Sequence, residues 1–112
     1  MTNEELNTAL YEKMSAEQEI YRAWLLSQPP AEILHHAYEY SVREDIVMCM
    51  EELELSHEQA KALLKARSPV ADIFKSWQNR ETSYMDQIRD TVENRANATI
   101  RADFIRSRKE ER

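Results

Sequence analysis

The side chains best suited to chemistry gather in one short stretch, His35, His36 and Glu39. His35 and Glu39 stand one helical turn apart, a spacing at which two ligands can approach one metal ion. Zinc takes three or four protein ligands held by a supporting shell. The remaining histidine, His57, lies at the start of a different predicted helix, and Cys49 falls on an apolar stripe. Glu32 and His35 form a single Glu-x-x-His pattern, which builds a carboxylate metal centre only in duplicate. The pair therefore reads as one half-buried and one exposed histidine, with no metal and no other cofactor implied.

Cys49 is poorly placed as a nucleophile. Its neighbours Met48, Met50, Glu51 and Glu52 offer no base, and acids raise a thiol pKa. A buried, inert cysteine is the expectation. The acid pairs Glu44-Asp45 and Glu51-Glu52 could exchange protons in principle, but on amphipathic helices they face water. The chain also lacks glycine altogether. Phosphate loops, dinucleotide fingerprints and two-residue hairpin turns all depend on it. These features predict a protein that is not an enzyme.

The elements that carry these residues are marked by their starts. Thr2 with Glu5 and Ser56 with Gln59 have capping-box spacing, Pro30 suits a first helical position, and Ser68-Pro69 marks another start. Apolar residues then recur at three and four: Leu6, Leu10, Met14, Tyr21, Trp24 and Leu25 in the first segment. Ile33, Leu34, Val42, Ile46, Cys49, Met50 and Leu53 follow in the second, and Val70, Ile73, Phe74, Trp77, Tyr84, Ile88 and Val92 in the longest. Ser15-Gln18 and Ser41-Glu44 could act as internal caps and bend the first two helices, and Glu81 interrupts the longest stripe. The pattern predicts an all-α fold, a compact bundle of four or five helices at about 3–27, 31–54, 57–67 and 69–95, with a further C-terminal helix at 98–108. One domain, 1–112, is expected, with a frayed charged tail from about 106 to 112.

No apolar run reaches membrane-spanning length, no signal peptide is visible and the single cysteine excludes an internal disulfide. The cytoplasm is the expected compartment. Charge is unevenly spread. Residues 1–58 hold 13 acids and three bases, a net of −10, whereas residues 59–112 hold eight acids and 12 bases, a net of +4. Such a split marks either a partner surface or two halves, of one chain or of a homodimer, that neutralise each other.

The runs Tyr11-Glu12-Lys13-Met14, Trp24-Leu25-Leu26-Ser27-Gln28-Pro29-Pro30, Tyr38 to Ile46, Leu55 to Leu64 and Tyr84 to Arg89 resemble an uncharacterised family of small proteins. Its members are encoded on conjugative and phage-like elements of gut Gram-positive bacteria. None of the shared residues is a catalytic motif. The resemblance implies a mobile-element accessory protein.

Two functions follow as expectations. In the first, the acidic half, through Glu44, Asp45, Glu51, Glu52 and Glu54, stands in for a phosphate backbone and occupies a basic nucleic-acid enzyme of the host, such as a defence nuclease of the CRISPR type. In the second, a helix-turn-helix-like element over Ser56–Asn79 touches DNA through Lys61, Lys65, Arg67, Lys75 and Arg80. The second lacks the usual turn glycine and sits in an acidic chain. A structural subunit of a larger assembly is a third reading.

Overall fold

The computed structural model describes residues 1–80 and 83–110, which form six helices and no strand. These are α1 (Asn3–Leu26), α2 (Pro30–His35), α3 (Ala37–Cys49), α4 (His57–Leu64), α5 (Pro69–Arg80) and α6 (Tyr84–Glu110). The all-helical expectation holds. The compact bundle of four or five helices does not, because the chain divides into two units, Met1–Gln78 and Asn79–Arg112.

The first unit is organised by α1. Thr2 caps it, its hydroxyl accepting from Glu5 N at 3.1 Å while the Glu5 carboxylate accepts from Thr2 N. Leu6, Leu10 and Met14 then form one buried face, closed by Ala60 of α4 and Val70 of α5. Ser15 and Gln18 do not interrupt α1, which runs unbroken for 24 residues. Gln18 is instead buried on the core face. The helix stops at Ser27, two residues before Pro29-Pro30, as the restriction on a residue preceding proline requires.

The predicted second helix is two. The break falls at His36 (φ −100°, ψ 6°), and no bend forms at Ser41. His36 N still donates to Glu32 O and Tyr40 N to His36 O, so one irregular residue turns the chain with little loss of hydrogen bonding. Ile46 of α3 packs against the core as predicted, partly buried, and with Val42 and Cys49 it also lines an open groove bordered by Leu63, Ile73 and Trp77; Cys49, predicted as buried, is exposed. The one residue α3 buries is Arg43. The tryptophans are also surface residues, Trp24 being 44% and Trp77 47% exposed.

The predicted fourth helix ends at Arg80, and its expected break at Glu81 lies outside the described residues. The second unit contains α6, which joins the stretches expected at 84–95 and 98–108 into 27 continuous residues. Thr91 and Thr99, poor helix formers, are accommodated because their hydroxyls donate to Gln87 O and Arg95 O one turn back. Residues 106–110 of the expected frayed tail continue α6; Glu111 and Arg112 lie outside the described residues. Every side chain from Tyr84 to Lys109 is exposed.

Candidate protein-binding site

The sequence-predicted acids cluster around the segment that joins α3 to α4. Glu51, Glu52 and Glu54 are exposed on it, and with Glu4, Asn7, Thr8 and Tyr11 of α1 they border an open depression of about 630 Å³. The segment is pinned. Glu51 N, Glu52 N and Leu53 N donate back to Met48 O and Cys49 O, extending the last turn of α3. The Asn7 side chain then grips the Leu55 peptide on both sides, accepting from Leu55 N and donating to Leu55 O, each at 3.0 Å. Asn3 donates to the same carbonyl at 3.2 Å. Tyr11 Oη donates to Glu51 Oε1 at 3.2 Å. The acidic rim is thus carried on an ordered loop whose backbone is fixed by α1.

Of the other two predicted acids, one adjoins this group and one does not. Glu44 is half-buried, accepts from Gln18 Nε2 at 3.0 Å and faces a second depression that Glu51 also borders. Burial, and then hydrogen bonding to Glu44, push the Tyr40 hydroxyl above its ordinary pKa. Asp45 lies on the opposite side, at the apolar groove of about 340 Å³. Met50 and Leu53 border both that groove and the acidic depression, so the loop is a ridge with charge on one flank and aliphatic surface on the other.

Ion pairs of the acidic half, among the described residues, are made within it. Arg43 bonds Glu39 at 2.8 Å, lies 3.7 Å from Glu17, and places its guanidinium 4.0 Å above the Tyr21 ring. Burial foremost, and then the Glu39 charge, raise the Tyr21 pKa, with Arg43 opposing. His36 sits 3.7 Å from Glu32 and 3.8 Å from Glu39, edge-on to Trp24. His57 begins α4, apart from them, and among the described residues no three His, Cys, Asp or Glu side chains converge to hold a metal. Glu51, Glu52, Glu54 and Asp45 join no ion pair among the described residues, which leaves their charge open to a partner.

The predicted basic set is exposed throughout: Lys61 on α4, Lys65 at its C-cap, Arg67 in the following turn, and Lys75 and Arg80 on α5. Arg80 belongs to the second unit, so the five are not one patch of one body. The turn between α4 and α5 has a feature that sequence reasoning missed. Lys13 Nζ donates to Leu64 O at 2.8 Å and to Ala66 O at 2.6 Å, satisfying the carbonyl end of α4. One turn along α1, the Glu17 carboxylate accepts from Val70 N and Ala71 N, both at 2.9 Å, satisfying the amide end of α5. Lys13 and Glu17 thus do from outside what a glycine cap and a serine cap do locally. The available signal was a charged pair four residues apart, bordering the Leu10–Met14 face.

Among the described residues, no helix is long and apolar enough to cross a membrane. A family model described as protein of unknown function (DUF3848) matches residues 6–100. No curated protein and no solved structure matches the chain.

Proposed function

We propose that this chain, which belongs to the DUF3848 family of proteins of unknown function, is a non-enzymatic binding protein that presents the acidic ridge of residues 50–54 to a basic surface on another protein. The observation that carries this reading is the pinned loop: Asn7 holds its backbone at Leu55, Tyr11 holds the Glu51 carboxylate, and Glu51, Glu52 and Glu54 are exposed on it with no ion pair among the described residues. Preorganised charge of one sign attracts a complementary groove and loses little entropy on docking. A surface evolved for polyanions is the natural target, since fixed carboxylates can replace phosphates. A defence nuclease of the CRISPR effector type is the partner to test first, in a cytoplasmic mobile-element protein of Gram-positive bacteria.

The test measures binding of the full chain to purified effector nucleases and its competition with their nucleic acid. Binding that weakens with salt and is lost in Glu51→Lys/Glu52→Lys/Glu54→Lys supports the reading. Binding that survives the triple reversal refutes charge mimicry.

Direct DNA binding through Lys61, Lys65, Arg67, Lys75 and Arg80 is the weaker alternative. The Glu17 carboxylate occupies the amide end of α5, where a DNA-facing helix would meet phosphate. A shift with duplex DNA at ~50 mM salt, where phosphate contacts are strongest, would revive it.

A further inference from the structure

α6 presents an apolar residue at every fourth position, Ile88, Val92, Ala96, Ile100 and Phe104. The last ring carries the Arg108 guanidinium 5.8 Å from its centroid. All five side chains are exposed. A run at this spacing is a continuous ridge along the helix surface, the kind that interdigitates with an equivalent ridge on another helix. The helix also needs such a neighbour. Asn94, Asn97, Thr91 and Thr99 are weak helix formers, and most helices in proteins draw their stability from a packed face.

Charge identifies the neighbour. Residues 86–93 hold Asp86, Asp90 and Glu93 against Arg89 alone, whereas residues 95–109 hold Arg95, Arg101, Arg106, Arg108 and Lys109 against Asp103 alone. Within the helix Arg89 pairs with Asp86 and Arg106 with Asp103, which leaves Asp90 and Glu93 on one arm and Arg95, Arg101, Arg108 and Lys109 on the other. A helix that is acidic on one arm and basic on the other complements itself when reversed.

We propose that α6 docks antiparallel on α6 of a second copy of this chain. The two ridges cross near Val92 and Ala96, where the alanine permits close approach, and Ile88 of each copy packs toward Ile100 of the other. A two-fold axis relates the contacts, so each acidic arm lies by a basic one. A parallel pair would set Asp90 and Glu93 against themselves.

Sedimentation of the full chain over a concentration series tests this, with helix content by circular dichroism as the check that each variant stays folded. The wild type should form a reversible dimer and Val92→Asp a monomer. Asp90→Lys/Glu93→Lys should weaken the dimer by about tenfold, and adding Arg95→Glu/Arg101→Glu should restore it. A wild type that is monomeric at every concentration, or a Val92→Asp variant that still dimerises, overturns the proposal. A dimer indifferent to Asp90→Lys/Glu93→Lys overturns its antiparallel orientation.

Discussion

Leu10 of α1 and Ile100 of α6 are aliphatic side chains near the middle of long helices, yet Leu10 is fully buried and Ile100 is 66% exposed. The difference lies in what surrounds them. Around Leu10, α1 also carries Asn3, Asn7, Lys13 and Glu17, whose polar atoms seize the backbone of segments about 50 residues away. Beyond Tyr84, side-chain hydrogen bonds of α6, such as Arg89 to Asp86 and Thr99 to Arg95, run one turn along the helix. An apolar stripe is thus necessary for a core. What brings segments onto it, in this chain, is a set of polar groups that satisfy the ends of other elements.

The largest test of that contrast is Leu10→Ala. It should cost about 3 kcal/mol in chemical denaturation, through lost transfer energy and the cavity left behind. Ile105→Ala on α6 should change the same measurement by less than about 0.5 kcal/mol. A similar cost at both sites would erase the distinction between the units.

Glu17→Ala comes next, at about 2 kcal/mol, because it uncovers two amides of α5 and removes a carboxylate from Arg43. Asn7→Ala should cost about 1 kcal/mol and speed hydrogen exchange at Leu55 selectively, with α4 amides little changed.

The smallest effect is alkaline. The Tyr21 hydroxyl has a folded pKa above its unfolded 10.0, so the folded state holds this proton more tightly. The stability linked to it is intact below about pH 10 and is lost as pH rises through the folded value. Tyr21→Phe should flatten that part of the alkaline stability profile.

Where the sequence was legible, a local pattern and a local structure coincide. Thr2-Glu5 and Ser56-Gln59 are capping boxes because their partners lie three residues away, and Leu6, Leu10 and Met14 are core because they share a helix face. Where it was not, the partner is remote. Nothing near Lys13 and Glu17 in the sequence points to Leu64 and Val70, and nothing near Arg43 points to Glu17 and Tyr21, which enclose it. The break at His36 has no proline or cap to announce it. The acids at 51, 52 and 54 were visible as charge, but the fixation of their loop at Leu55 by Asn7 was not.

The splint across the α4–α5 turn bears on how the chain reaches its native state. Lys13 and Glu17 are made long before Leu64, Ala66, Val70 and Ala71, and their bonds span 51 to 54 residues. On a ribosome, α1 emerges with its acceptors and donors still unmade, so its closure waits for α5. Contacts of such long sequence separation slow folding even in helical proteins. Lys13→Met/Glu17→Met variants should therefore be less stable, and the rate that changes gives the timing: slower folding places closure of the splint before the barrier, faster unfolding places it after.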